Sequence, residues 1–195
     1  MNKFFIFCFI YLIHFLSCTT SQHQEIEFKD APQDDRPYFL ALEKATRSAD
    51  IYQNFETDYK MQATLFSPAF KEALRTRHRN LMLTDNSAFE ETSTKLGFLV
   101  SIFAPDSNTI ELDNKTHWTV LASSGANKDL RPIIMRRMED KTRWKNYFHY
   151  INKWTQEWLI VFDTPSVNLD AGRLVEAQKI VLTLATGDVK TTFAW

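Results

Sequence analysis

The chain has 195 residues, of which 44% are hydrophobic and 14% aromatic, and its formal net charge is −1. A near-neutral charge excludes general nucleic-acid affinity, because neutralising phosphates takes an excess of Lys and Arg. Only four glycines occur and the sequence has no GxGxxG or Walker-type loop, which excludes the enzymes that hold nucleotides in such loops. The length suits one domain with its own hydrophobic core, and no cofactor is predicted.

Residues 1–18 have the layout of a secretory signal. Lys3 supplies a positive charge, and an apolar run extends from Phe4 to Leu16, interrupted by His14. A helix of that length rises about 20 Å, short of the roughly 30 Å hydrocarbon core, so we do not expect a permanent membrane span. A charge, a short apolar run and a small residue together predict export from the cytoplasm.

The end of this run, Phe15-Leu16-Ser17-Cys18, resembles the lipobox of bacterial lipoproteins. In that family a small residue precedes a cysteine, which is lipidated and becomes the new N-terminus after cleavage. Ser17 and Cys18 match this pattern, whereas Phe15 and Leu16 replace the usual Leu and small residue. The resemblance implies a lipid attached at Cys18 and a domain held at the bacterial cell envelope, outside the cytoplasm. Thr19 differs from the Asp that signals inner-membrane retention, which favours the outer membrane.

The use of cysteine agrees with this reading. The chain has two cysteines, Cys8 in the apolar run and Cys18 at its end, so the exported part has no pair to form a disulfide. A lone cysteine at the cleavage junction is what lipidation requires. The alternative is an ordinary signal peptide that is cut near Ser17 or Thr20.

The remainder is predicted to be a tether followed by one domain. Residues 19–36 are polar, and such a composition buries too little surface to offset its ordering entropy, which predicts a flexible tether. Residues 37–195 are expected to form a single globular domain, with helices in 37–96 and a β-rich part in 97–195. The fold class is therefore mainly β with N-terminal helices, α+β.

The domain is expected to begin with a helix and a strand. Asp34 or Asp35 caps a helix that has Pro37 in its first turn. Apolar side chains recur on one helical face as far as Tyr52. Residues 55–65 alternate between apolar and polar, which predicts a half-buried strand.

Two further helices are predicted before the β-rich part. Ser67-Pro68 provides an N-cap followed by Pro, which opens a second helix. A third, short helix follows Thr84 or Asp85, and Gly97 is expected to end it.

The β-rich part consists of short apolar runs separated by polar turns, which predicts strands. The predicted strands are Phe98–Ala104, His117–Ala122, Pro132–Met138, Trp144–Ile151, Glu157–Asp163, Lys179–Ala185 and Val189–Trp195. The layout resembles immunoglobulin-like β-sandwiches of about seven strands, here with a helical insertion and without the Cys…Trp…Cys hallmark.

The last hairpin is predicted in register. Gly187-Asp188 between two alternating runs is typical of a two-residue turn. That turn pairs Thr186 with Val189, Leu184 with Thr191, Leu182 with Phe193 and Ile180 with Trp195. The last two pairs place four large apolar side chains on one buried face.

Catalytic motifs are scarce. The histidines are isolated, with no HExxH, so no metal site is predicted. Ser123 and Ser124 precede Gly125 but lack the first glycine of GxSxG, and we interpret this stretch as a turn. No catalytic residue is predicted, although acids from distant parts of the chain remain open as a glycosidase pair.

One segment combines charge with aromatic residues. Between Lys128 and Lys153 there are eight basic residues against three acidic ones, with aromatic residues interleaved. Basic groups beside aromatic faces bind anionic polymers by charge and stacking. The candidate ligand-binding residues are Arg136, Arg143, Trp144 and Lys145. The alternative is that the aromatic residues fill the core and the basic ones are solvated; Arg136 and Arg137 point to opposite faces if they lie on a strand.

Three functions follow as hypotheses. The favoured one is a lipid-anchored envelope protein that binds without catalysis, its partners being the membrane through Cys18 and envelope proteins or anionic envelope polymers, not nucleic acid. The second is an exported hydrolase acting on peptidoglycan or another envelope glycan, which needs a cleft with two carboxylates. The third is a structural accessory of a membrane assembly, which needs a large exposed apolar patch.

Overall fold

The computed structural model describes residues 35–53, 56–81, 87–105, 110–124, 127–163, 179–187 and 189–195. The predicted signal segment, the lipid attachment at Cys18 and all of the tether except its last two residues lie outside these ranges. Within these ranges, no helix has both the length and the apolar character needed to cross a membrane.

The described residues are mainly β, with nine strands, three α-helices and one 3₁₀ helix. The strands are β1 (Thr46–Gln53), β2 (Glu56–Leu65), β3 (Leu96–Phe103), β4 (Thr119–Ser124), β5 (Asn127–Leu130), β6 (Pro132–Met138), β7 (Gln156–Phe162), β8 (Ile180–Ala185) and β9 (Lys190–Ala194). The helices are α1 (Arg36–Ala45), α2 (Pro68–Asn80), α3 (Lys141–Lys145) and the 3₁₀ helix (Ser87–Thr92).

The strands form two antiparallel sheets. The five-stranded sheet has the order β1-β2-β3-β7-β6, and the four-stranded sheet has the order β5-β4-β8-β9. One hydrophobic cluster takes side chains from both sheets, such as Val100 and Ile160 from the first and Leu182 from the second. This confirms the mainly β class with helices, although the described residues contain nine strands where about seven were expected.

The opposite face of the five-stranded sheet carries the helices. Leu99 and Val161 point to this face and belong to a second hydrophobic cluster with Leu42 of α1 and Phe70 of α2. Successive strand residues point to opposite faces, so β3 and β7 contribute to both clusters, and β7 is buried along its whole length.

The predicted first helix is shorter than expected. It has Pro37 in its first turn and buries Tyr38, Leu42 and Ala45, as predicted, but it ends at Ala45. Ala49 and Tyr52, which were assigned to the same helical face, lie on β1 instead. Strand β1 pairs with β2 along its length, and these tertiary hydrogen bonds outweigh a weak helical periodicity.

The second helix is confirmed, whereas the role predicted for Gly97 is wrong. The Ser67 hydroxyl accepts a hydrogen bond from the Phe70 backbone N–H at 3.2 Å, and Pro68 opens α2. Gly97 lies inside β3, where an added Cβ would come within 2.5 Å of Thr92 Cγ2. Glycine is needed here because the 3₁₀ helix passes close over the strand.

The predicted register of the last hairpin is confirmed. Leu182 pairs with Phe193, and Ile180 and Trp195 exchange backbone hydrogen bonds of 3.2 and 2.9 Å. The Trp195 indole N–H also donates to the Ala45 carbonyl at 2.6 Å, which connects the hairpin to the end of α1.

The prediction of a strand over Trp144–Ile151 is wrong. The chain forms α3 and then turns, and Asp140 caps α3 by accepting from the Arg143 N–H at 3.2 Å. Trp144, Tyr147, Phe148 and Ile151 are all buried, and their spacing is that of one helical face. Strand β5 was not predicted.

Candidate functional site

The predicted site residues around Trp144 are not arranged as a binding surface. Trp144 is 6% exposed and packs against Phe89 and Tyr147, with ring centroids 4.8 and 6.1 Å apart. The Arg143 guanidinium lies 4.8 Å from the centroid of the same indole ring. Because its side chain is almost completely buried, Trp144 is a core residue and offers no face to a ligand.

Arg136 and Lys145 are not brought together either. Arg136 lies on β6 and makes an ion pair of 3.0 Å with Glu91, and Lys145 is exposed at the end of α3. Arg136 and Arg137 are consecutive on a strand and therefore point to opposite faces, as predicted. Arg137 therefore lies on the face of β6 opposite to Arg136 and Glu91.

A groove lies at the end of the five-stranded sheet where β3 and β6 end and β7 begins. Its volume is about 580 Å³. It is lined by Phe103, Ala104, Pro105, Arg137, Lys141, Lys153, Trp154, Thr155 and Gln156. We call it the basic groove, since three of these side chains are cationic and none of the described residues that line it is acidic.

Trp154 is presented to the basic groove by a tight turn. Its backbone N–H donates to Asn152 Oδ1 at 2.8 Å, and the Asn152 N–H donates to Thr155 Oγ1 at 3.1 Å. These bonds hold the turn while the indole remains 66% exposed. The turn thus orders the backbone that carries an exposed indole, and Trp is a residue that is enriched at contact surfaces.

The three cations of the basic groove differ in their partners. Lys141 donates to the Thr155 carbonyl and lies 3.8 Å from Glu157 Oε2. Lys153 Nζ lies 4.5 Å from the centroid of the Trp154 ring. Arg137 has neither a hydrogen bond nor an ion pair among the described residues. Within the part of the chain that the structure describes, no acid therefore neutralises Arg137 or Lys153.

Glu157 lies beneath the basic groove, on the helix-covered face of β7. It is 1% exposed, and its Oε1 accepts hydrogen bonds from Thr155 Oγ1 and, at 3.4 Å, from Ser101 Oγ. Burial raises the pKa of Glu157, and the Thr155 hydrogen bond and the charge of Lys141 partly oppose this. Its buried Oε2 has no hydrogen-bond partner among the described residues. The carboxylate holds Lys141 near the turn.

A second polar cluster fixes the start of the domain. Arg77 of α2 makes an ion pair of 2.7 Å with Asp35, and its guanidinium lies 4.7 Å from the centroid of the Tyr38 ring. It also donates to the Asn146 carbonyl at 2.9 Å. Asp35 makes no side-chain cap of α1, so its predicted capping role is replaced by this ion pair. The cluster is structural: it fastens the end of the predicted tether to α2.

The structure offers little for catalysis or metal binding. No group of three or more His, Cys, Asp or Glu side chains within the described ranges is placed to hold a metal ion. A glycosidase needs two carboxyl groups facing one bond, and Glu157 has no acidic neighbour in the lining of the basic groove. The arrangement is suited to binding an anion beside a flat apolar ring.

Comparisons with protein-family models, with curated proteins and with solved structures find no match. The function is therefore argued from the residues of this chain alone.

The basic groove includes part of the basic and aromatic segment identified in the sequence, but its residues differ from the four that were predicted to bind a ligand. Arg137, Lys141, Lys153 and Trp154 belong to or adjoin the basic segment, whereas the prediction selected the neighbours of Trp144. The missed signal is Asn152, since an Asn side chain accepts a hydrogen bond from the backbone N–H two residues on and so favours a turn at Trp154.

Proposed function

We propose that this chain is a lipid-anchored protein of the bacterial cell envelope whose folded domain binds another envelope component without catalysing a reaction. The observation that carries the binding role is the basic groove. It presents an exposed indole beside Arg137 and Lys153, which no acidic side chain neutralises among the described residues. Such a surface attracts an anion and stacks a ring.

The location of the protein is proposed from the sequence. The apolar leader and the lipobox-like Ser17-Cys18 support lipidation at Cys18, and Thr19 supports an outer-membrane destination. From Cys18 the chain reaches the ordered domain at Asp35, a stretch that spans at most about 60 Å when fully extended. A groove on that domain can therefore reach components well away from the bilayer surface.

The sandwich architecture belongs to the same proposal. An immunoglobulin-like sandwich is supported by the hydrophobic cluster that both sheets share. In this proposal, the helices that cover the outer face of the five-stranded sheet are the helical insertion.

A hydrolase is the second candidate, and one observation favours it. Burial raises the pKa of Glu157 beneath the basic groove, and a general acid needs a raised pKa. Against this, Glu157 is only 1% exposed and has no acidic partner in the described lining. A Glu157→Gln variant that abolished release of sugars from purified envelope glycan would favour the hydrolase over the binding protein.

The anchor is tested by labelling cells with a palmitate analogue. The wild type is expected to take up the label and Cys18→Ala to lose it, because the thiol at the cleavage junction accepts the lipid. Cys8→Ala is the matched control and keeps the label, since Cys8 lies in the leader that is removed. Equal labelling of wild type and Cys18→Ala would contradict the anchor.

The binding role is tested by pull-down from envelope extract. Arg137→Glu/Lys153→Glu reverses the charge of the basic groove and is expected to lose a partner that the wild type retains. Lys115→Glu/Lys190→Glu makes the same change of charge at two exposed lysines outside the groove and keeps the partner. An identical set of retained molecules in all three samples would contradict a binding role for the groove.

A further inference from the structure

We infer that the ligand of the basic groove is an acidic carbohydrate, a chain of sugar rings that carry carboxylates, with one ring on Trp154 and a carboxylate on Arg137 and Lys153. This inference rests on the binding role proposed above and names the class of the ligand. It depends on the size of the groove, the presentation of the indole and the partners of the three cations.

The size of the basic groove suits a short stretch of glycan. Its volume of about 580 Å³ falls within the range of about 300–1,000 Å³ that holds ligands of drug size. The groove is an open cleft at the end of a sheet, so a polymer can enter and leave at its sides while a few rings occupy it.

Trp154 provides a platform with a fixed position. The turn at 152–155 holds its backbone through two hydrogen bonds, of 2.8 and 3.1 Å, so little backbone ordering entropy remains to be lost when a ligand binds. The C–H face of a sugar ring is apolar and flat enough to stack on an indole, while its hydroxyl groups stay in water. An indole that is 66% exposed has the free surface for such a contact.

Lys153 places a positive charge over one face of that platform. Its Nζ lies 4.5 Å from the centroid of the indole ring, so a sugar ring stacks on the opposite face. A carboxylate that extends past the edge of the indole meets this cation, which favours a sugar that carries its own carboxylate. A neutral glycan would use the platform but gain nothing from the charge.

Arg137 supplies the second cation in a form that fits a carboxylate. Its planar guanidinium makes two parallel hydrogen bonds to such a group, and it has no competing partner among the described residues. Lys141 has a different role, because it is already bound to the Thr155 carbonyl and paired with Glu157. We assign it as a positioning residue that braces the turn.

Other anionic partners fit less well. An acidic peptide would use the two cations but has no requirement for a stacking platform between them. A bilayer would require further apolar side chains on the exposed turn that carries the indole, whereas Asn152 and Lys153 of that turn are polar and exposed. Both are outcomes of the test.

The test is isothermal titration calorimetry at low salt, with the full lipidated chain in neutral detergent. The probes are tetrasaccharides of galacturonate, of mannuronate and of the hyaluronan repeat, with cellotetraose as the neutral control and tetraglutamate as the anion without rings. At least one acidic tetrasaccharide is expected to bind about tenfold more tightly than either control, a difference of about 1.4 kcal/mol.

Variants assign that binding to residues. Trp154→Ala and Arg137→Ala are each expected to weaken it about tenfold, and Lys145→Ala, which removes an exposed cation outside the groove, leaves it unchanged. Thermal unfolding of the two groove variants is expected to match the wild type, because neither side chain is buried.

Three results would overturn the inference. They are no binding of any acidic tetrasaccharide, equal binding of tetraglutamate, and binding to vesicles of anionic phospholipid that needs Trp154 while the sugars do not compete. In each case the palmitate labelling and the pull-down still decide the proposed function, so loss of the ligand class is distinguishable from loss of the binding role.

Discussion

Trp144 and Trp154 belong to the same basic and aromatic stretch of sequence, yet the first is 6% exposed and the second is 66% exposed. Trp144 is followed at helical spacing by Tyr147 and Phe148, and this set packs against the helix-covered face of the five-stranded sheet. Trp154 follows Asn152 in a turn that interrupts the helical pattern. The comparison teaches that charge beside aromatic residues does not identify a binding surface; the local backbone decides which ring is left in water.

The largest difference in stability is expected between the alanine variants of Trp144 and Trp154. Trp144→Ala removes a buried ring and should lower the free energy of unfolding by ~3–5 kcal/mol. Trp154→Ala removes an exposed ring and should change it by less than ~0.5 kcal/mol. Urea unfolding of both variants measures the difference, and similar losses would show that Trp154 is packed as a core residue.

The packing of Phe89 on Trp144 can be tested by a substitution at Gly97. This glycine lets the 3₁₀ helix, which carries Phe89 onto Trp144, approach β3. Gly97→Ala forces a Cβ to within 2.5 Å of Thr92 Cγ2 and should destabilise the domain by ~1–3 kcal/mol. Gly187→Ala is the control, because its Cβ would meet nothing within 4 Å and should cost little. Equal melting temperatures for the two variants would contradict the close approach.

The turn that exposes Trp154 can be loosened without touching the indole. Asn152→Ala removes the acceptor for the Trp154 N–H and should cost ~0.5–1.5 kcal/mol. Hydrogen exchange of the Trp154 amide is expected to speed up, because its donor is released to water. Asn114→Ala removes a comparable acceptor, for the Thr116 N–H, and leaves the Trp154 amide unaffected. Unchanged exchange in Asn152→Ala would contradict the turn.

The smallest net effect is expected at Glu157, where two changes oppose each other. Folding raises the pKa of this carboxyl above its ordinary value of 4.5, so the folded protein keeps a proton that the unfolded chain releases. The contribution of Glu157 to stability is therefore full below that value and is lost as pH rises through the folded pKa. Glu157→Gln removes the loss of stability that ionisation of this carboxyl causes at higher pH. It also removes the carboxylate that pairs with Lys141, which lowers stability.

The pH dependence separates these two changes. The free energy of unfolding of Glu157→Gln, relative to the wild type, should become larger as pH rises above 4.5. Urea titrations at several pH values measure it. A difference that is constant with pH would contradict the raised pKa.

Local patterns predicted much of the fold. Ser67-Pro68 identified the start of α2 because a cap and a first-turn proline act within a few residues. The hairpin register followed from alternation and one turn, so the pairing of Leu182 with Phe193 was predicted correctly. The end of α1 at Ala45 was missed, since it depends on β1 pairing with a strand later in the chain.

The candidate site was predicted only as a region. The sequence identified the basic and aromatic segment, but placing Arg137 beside Trp154 requires β6 and β7 to be neighbours in one sheet. That pairing is a long-range property that one sequence does not contain as a local pattern. Trp144 was selected instead because its helical spacing was interpreted as a strand.

The hydrogen bond from Trp195 to the Ala45 carbonyl joins residues 150 positions apart. The Arg47 side chain reaches the same strand, donating to the Ala194 carbonyl across 147 positions. Neither contact can form until both ends of the described domain are present, and contacts of such long range slow folding. The end of α1 and the start of β1 therefore receive these partners only when the β8–β9 hairpin is in place.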